Sequence, residues 1–325
     1  MGLSGGPSEG ETSCRDRLSL AIDQQNLSQG LPTTTPLRHA WPNDQTERTM
    51  TTSLKQALTV PPFAWPTLLL AVFALLGWGA GLALVARGDL GLGLVAMTLG
   101  AYVAFTPLHD ATHKAVASKH LWLNDAVGRL AVIPLFGPYL AFKHVHLEHH
   151  AHTNDPAKDP DHYSARGPSV LLPLRWMTQD LHYYAVYLRA GRPPGEVADV
   201  VISLTLLVGT VALLVSSGYG VVALAWLVSS RLALGLLAFA FDWLPHRPHT
   251  VLQRDDRFRA TSMRVGWLWQ LVLLNQSHHL VHHLQPQVPF YKYPALWLAQ
   301  EAELRARGAV VVNERRALRS APLAG

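Results

Sequence analysis

The sequence predicts an all-α integral membrane protein: four transmembrane helices form two hairpins, and a cytoplasmic helical cap carries clusters of histidine. Three observations predict it. Charged residues make up only 15% of the 325-residue chain and apolar residues 49%, where an average soluble chain is roughly 25% charged. Four stretches approach the roughly 20 apolar residues that cross a bilayer as a helix. Sixteen of the 17 histidines fall between residues 109 and 283, outside those four stretches.

The first span reads "TLLLAVFALLGWGAGLALVA", residues 67–86, and only Arg87, Gly88 and Asp89 separate it from the second, residues 90–108. A connection this short makes an antiparallel hairpin. The third span, about 197–217, meets the fourth, about 219–244, through a short Gly-rich turn. Two hairpins inserted from one side place the N-terminal leader, the segment His109 to Glu196 and everything after Pro245 in one compartment. Arg87 lies in an opposite-side turn and Arg231 within a span, so 25 of the 27 Lys and Arg residues share that compartment. The positive-inside tendency makes it the cytoplasm.

Residues 1–60 read as a polar, disordered leader without the apolar core of a secretory signal. Translation starts at Met1 or at Met50, which precedes "TTSLKQALTVPPFAWP". The membrane domain covers 61–300, and 301–325 forms a C-terminal tail. Two further segments, Leu121 to Phe142 and Leu171 to Leu188, mix apolar and polar residues and read as helices along the interface or packed on the spans. The alternative for Leu121 to Phe142 is a fifth span, which would separate the first histidine pair from the others by a membrane. The single cysteine, Cys14, excludes an intrachain disulfide and a thiolate metal site. The net charge of +5 is scattered rather than massed in a stripe, which argues against nucleic acid.

Three histidine groups remain to be explained. "HDATH" contributes His109 and His113, "HLEHH" contributes His146, His149 and His150, and "HLVHH" contributes His279, His282 and His283. Spacings of three and four put each group on one helical face. Eight imidazoles are too many for one ion, and two ions with about four nitrogens each fit the count. No H-E-x-x-H zinc motif occurs. Imidazole also suits iron and copper, and oxygen chemistry requires a redox metal. A membrane metal-binding protein without catalysis is the alternative from another class.

With these groups, "VHLEHHAHTNDPAKDPDHY" (Val145 to Tyr163), "FDWLPHRPH" (Phe241 to His249) and "NQSHHLVHHLQPQVPFYKY" (Asn275 to Tyr293), the chain resembles the membrane-bound fatty-acid-desaturase superfamily with histidine-box diiron sites. It is most similar to the bacterial carotenoid (beta-carotene) ring hydroxylase branch. The resemblance covers His109 to Trp297. It implies two non-haem iron ions held by nine histidines, the eight above and His246, with His249 as the rival for the ninth place. It also implies O2 as co-substrate, a lipid or carotenoid substrate, and a site on the cytoplasmic side of a bacterial inner membrane. The chemistry is hydroxylation of an unactivated C–H bond, or fatty acyl desaturation at the same site, with a carotenoid ketolase and an alkane hydroxylase as further alternatives. His144, His152 and His278 lie outside the superfamily pattern.

Imidazole ligands need their second nitrogen anchored, and Asp110, Asn154, Asp155, Asp159, Asp161 and Asn275 are near enough in sequence to serve. The segment "QPQVPFYKYPALW", Gln285 to Trp297, reads as a rim that turns away from the metal. Arg231, inside the fourth span, either snorkels out or meets a polar end of the substrate. No cytochrome domain or flavin fingerprint is evident, so electrons come from a separate carrier such as a ferredoxin.

Overall fold

A computed structural model describes Leu54 and residues 57–312. Most of the leader, including Cys14 and Met50, and the tail beyond Val312 lie outside the described residues. Four helices among them are long and apolar enough to cross a membrane: α1 Trp65–Ala86, α2 Leu90–Thr112, α7 Pro194–Ser216 and α8 Gly220–Leu237. The last continues as a π-helical stretch, Ala238–Trp243. All four lie where the apolar stretches predict them, with ends shifted by up to four residues.

Local chemistry sets the ends. Pro66 opens α1, where a missing N–H costs nothing. Gly88 takes φ +96° in the turn, and the Asp89 carboxylate accepts from the Leu92 amide to cap α2. The two helices then touch backbone to backbone. A Cβ on Gly93 would lie 2.5 Å from Val85 Cγ2 and 2.8 Å from the Gly81 carbonyl oxygen.

The segment from Leu121 packs on the spans, one of the two placements expected, and is broken rather than a fifth straight span: α3 (Leu121–Ala131) runs into a 3-10 turn, Ile133–Leu135, and α4 (Tyr139–His152) leaves at 99°. Pro134 and Pro138 remove amide donors, and Phe136 sits in the left-handed region at φ 59°. The tip docks on α8, where Trp226 Nε1 donates to the Ile133 carbonyl at 3.2 Å. Tyr139 Oη donates to the Ala111 carbonyl, tying α4 to the end of α2. A core of Phe105, Leu108, Leu135, Leu237 and Phe241 joins the three elements.

The stretch read over Leu171 to Leu188 forms α5 (Leu172–Met177) and α6 (Gln179–Arg189). Arg231 neither snorkels out nor waits for substrate. Its guanidinium forms a bidentate pair with Asp180 of α6, at 2.7 and 2.8 Å, and donates to the Met177 carbonyl. Beyond α8 lie α9 (Trp267–Val272), α10 (His279–Leu284) and α11 (Tyr293–Ala306). The one departure from all-α among the described residues is a parallel pair of three-residue strands, β1 Ser262–Arg264 and β2 Val310–Val312. Helix α11 and β2 carry ordered structure past residue 300.

The ion pair yields a prediction. Asp180→Ala leaves a partly buried guanidinium unpaired and should cost about 1–3 kcal/mol, less than a fully buried pair. The double variant Asp180→Leu with Arg231→Met should recover most of it. Thermal unfolding in detergent reads both; a double variant as unstable as the single would remove the desolvation argument.

Candidate metal centre

Each histidine group is delivered by a different element. His109 and His113 close α2, one turn apart; His146, His149 and His150 share a face of α4. His246 follows the π stretch of α8, and α10 consists largely of His279, His282 and His283. The bend between α3 and α4 turns the α4 face back onto the end of α2. His113 and His146 therefore meet, Nε2 to Nε2, at 2.9 Å.

The nine rings sort into two groups. His109, His113, His146, His150 and His282 form one, and His149, His246, His279 and His283 the other; within each, one ligand atom per residue lies within 4.8 Å of all the rest. In the first, His282 Nε2 is 3.0 Å from His109 Nε2 and 2.8 Å from His150 Nε2. In the second, His279 Nε2 lies 2.9 Å from His246 Nε2 and 3.1 Å from His283 Nε2, which is 3.3 Å from His149 Nε2. His150 is half-buried and the other eight are buried.

These contacts fit a metal ion better than a hydrogen-bond network. An imidazole nitrogen offers one proton or one lone pair, yet His282 Nε2 and His283 Nε2 each face two others. His149 Nδ1 donates to Asp159 Oδ1 at 2.9 Å, and His283 Nδ1 donates to Gln253 Oε1 at 3.1 Å. With both rings neutral, the two Nε2 atoms would turn lone pairs toward each other, a repulsion relieved by a cation between them, whether a proton on His149 or a metal ion. Metal–nitrogen bonds of about 2.1 Å at right angles separate neighbouring ligand nitrogens by about 3 Å, the spacing seen.

Electrostatics agrees. Burial holds His113 and His279 down to about 3, and lowers His146, His150, His246, His282 and His283, the neighbouring rings adding to the effect. These imidazoles are neutral at pH 7, the form that ligates. His149 differs: burial opposes its charge, but the Asp159 and Asp161 carboxylates outweigh burial and raise it to about 9. A cation, proton or metal, is favoured there.

Of the six anchor candidates, Asp159 and Asp161 reach one of the nine grouped rings, both at His149 Nδ1 (2.9 and 3.3 Å). The hydrogen bonds of the other four go elsewhere. Asp110 accepts from Thr67 Oγ1 and the Phe290 amide; Asn154 donates to the Val251 and Ala260 carbonyls; Asp155 pairs with Arg254. Asn275 contributes its backbone carbonyl, which accepts from the His278 amide. The rivals stand outside both groups: His249 is beside His162, His144 against Tyr187, His152 near Glu148, and His278 against Ser277.

Three anchors escaped the sequence reading. Gln253 holds His283, Gln276 lies 3.3 Å from His109 Nδ1, and Tyr293 Oη is 2.9 Å from His282 Nδ1. Tyr293 corrects the reading of Gln285 to Trp297 as a rim that turns away. The segment folds back beneath α10, Tyr293 is fully buried, and the Phe290 amide donates to Asp110. Tyr293 lay inside a quoted motif; nothing in the sequence marks Gln253.

The sequence pattern of the fatty acid desaturase family matches residues 83–313. The chain is 30% identical over 212 residues to a beta-carotene ketolase of a Paracoccus strain, covering 63% of this chain and 76% of that protein. A beta-carotene ketolase of a second Paracoccus strain is 32% identical over 211 residues, 62% and 75% of the two chains. An sn-1 oleoyl-lipid 12-desaturase of Picosynechococcus is 32% identical over 130 residues, 39% of this chain and 37% of the relative.

Two predictions follow from the grouping of the rings. His246→Ala should strip metal from the purified protein, while His249→Ala should leave the content at the wild-type value, as read by elemental analysis; the reverse result would exchange their roles. Asp159→Asn removes the charge that holds His149 and should weaken metal affinity about 10- to 100-fold, measured by competition with a chelator.

Proposed function

This chain belongs to the fatty acid desaturase family and is an integral membrane oxidoreductase, and from that premise we propose that its nine grouped histidines hold two iron ions that use O2 to hydroxylate an unactivated C–H bond of a lipid, a carotenoid ring first among substrates. The observation that carries this reading is the convergence of nine largely buried imidazoles into two groups whose inward nitrogens need a cation. Neutral nitrogen donors suit iron. Iron, when bound, supplies the redox capacity to reduce dioxygen.

The residues of the chain do the rest. The His149–Asp159–Asp161 and His282–Tyr293 contacts hold ring orientation, and Phe105, Phe142 and Leu237 form the apolar side of a cavity at His146, lined elsewhere by Gln179, Asp180 and Asp242, that orients a hydrocarbon. The overall balance is one C–H bond and O2, with two electrons and two protons from outside, giving one C–OH and one water. A separate ferredoxin-like carrier supplies the electrons, and an acidic one suits the cationic surface. In this reading the spans enter as two hairpins from the cytoplasmic side of a bacterial inner membrane. The region 61–300 forms the membrane domain and the histidine cap faces the cytoplasm.

The carotenoid relatives support a carotenoid substrate, and because they are ketolases they favour a second outcome: two oxygenations at one carbon, then loss of water, leave a ketone. The oleoyl-lipid desaturase relative favours acyl chains, from which a second hydrogen is removed in place of oxygen insertion. The non-catalytic metal-binding reading falls with family membership.

The test is mass spectrometry of pigment and lipid extracts from a host that accumulates β-carotene, supplied with a ferredoxin system and this chain or its His282→Ala variant. Carotene should gain oxygen only with the intact chain, and chromatography against standards separates hydroxyl from keto products. Unchanged pigment beside newly unsaturated acyl chains would replace this reading with the desaturase.

A further inference from the structure

The segment that follows the fourth span and the strand β1 bring two arginines together. The Ser262 amide donates to the Pro245 carbonyl at 2.7 Å, and Ser262 Oγ donates to the same oxygen at 3.0 Å. Arg247 and Arg264 each stand two residues beyond that junction, Arg247 exposed and Arg264 half-buried. Burial and the neighbouring Arg247 charge lower the basicity of Arg264. Among the described residues no carboxylate answers either guanidinium, and the contacts of both are with aromatic rings. Arg129, Arg192 and Arg231, by contrast, each pair with an aspartate or a glutamate.

Those rings set the pair at the level of the membrane surface. The Arg247 guanidinium lies 4.5 Å over the Trp243 ring, and that of Arg264 is 5.8 Å from the Trp269 ring, contacts that hold a cation without neutralising it. Trp243 is the final residue of the fourth apolar helix, and tryptophan at a helix end marks the bilayer interface. Trp269 belongs to α9, none of whose six residues is buried: Trp267, Leu268, Leu271 and Val272 are more than half exposed. Tyr102 Oη, within the span α2, donates to the Val272 carbonyl at 3.0 Å, which seats the end of α9 against the spans. Two unpaired guanidiniums thus stand at the edge of an apolar surface that lipid chains cover.

We propose that Arg247 and Arg264 form a binding site for the phosphate of an anionic phospholipid, whose acyl chains lie along the exposed side chains of α9. Guanidinium forks match phosphate oxygens two at a time, and the negative charge between them offsets the repulsion of the two cations. The apolar flank selects a lipid: an acidic soluble protein would answer the charge but would leave Leu268 and Leu271 uncovered. A zwitterionic headgroup carries its own cation, so a headgroup of net negative charge is preferred. The consequence is structural. Arg247 directly follows His246, and the Arg264 amide donates to the Ser277 carbonyl, two residues before His279. A lipid held by both arginines ties the segment of His246 to the one that leads into α10. The site needs only the membrane placement of the chain and does not depend on the oxygenase reading.

The test uses the full chain in a neutral detergent, titrated with phosphatidylglycerol, phosphatidylcholine or inorganic phosphate. Native mass spectrometry counts the bound lipid and thermal unfolding reads its effect. One phosphatidylglycerol per chain should survive collisional activation that strips phosphatidylcholine, and the unfolding temperature should rise saturably with the anionic lipid alone. Arg264→Gln and Arg247→Gln should each weaken that binding at least about tenfold, as loss of a charge-assisted hydrogen bond does. Arg264→Lys keeps the charge without the fork and should fall between. Arg247 is exposed, so Arg247→Gln keeps the test decisive where Arg264→Gln fails to fold. Equal retention of the two lipids, or anionic binding unchanged in Arg247→Gln, overturns the proposal. A stabilisation produced equally by inorganic phosphate marks a free-anion site and overturns it too, as does an Arg247-dependent complex with a small acidic protein that phosphatidylglycerol does not displace.

Discussion

The structure depends on a crowd of lone pairs. Nine imidazoles turn a nitrogen inward at separations near 3 Å, an arrangement that repels itself unless a cation fills it. Four segments, the ends of α2 and α8, the face of α4 and all of α10, must reach the same place for this to happen. Burial lowers the basicity of most of these rings and so keeps their lone pairs free, while the carboxylates of Asp159 and Asp161 fix the one ring that would rather be charged. The same desolvation that makes the site costly to form makes it selective for a metal.

The bend at Ile133–Pro138 is what satisfies that constraint. A straight span through Leu121 to Phe142 would carry His146 away from His113. Two prolines and a left-handed Phe136 break the helix at the depth of Trp226, which holds the exposed carbonyl of Ile133. One local irregularity thus brings the α4 histidines onto the end of α2 and closes the cage. Close backbone contact at Gly81 and Gly93 keeps α1 and α2 together so that Asp110 can reach Thr67 and the segment at Phe290.

The spans and the histidine groups were legible because each is a local pattern: a run of apolar residues as long as a bilayer is thick, and spacings of three and four that put rings on one helical face. The Asp159 and Asp161 contacts were within reach for the same reason, lying about one helical length from His149. Tyr293 and Gln253 were not. Tyr293 sits in a Pro-rich segment that composition assigns to an interface, and Gln253 is an ordinary amide made important by folding next to His283 and Thr153. Arg231 showed its cost in the sequence, but its partner Asp180 lies 51 residues away on another element.

By itself, the sequence determined a helical membrane protein with histidines in quantity enough for two ions, because hydrophobic length and helical periodicity act over a few turns; its motifs' resemblance to the desaturase superfamily supplied the oxidoreductase class. Tertiary structure alone decided how the nine rings divide into a five and a four, which residues orient them, and that His246 rather than His249 faces the cluster. Those outcomes turn on the angle at one bend and on side chains 30 to 173 residues apart meeting in a largely buried interior, where desolvation enforces pairings that no local spacing encodes.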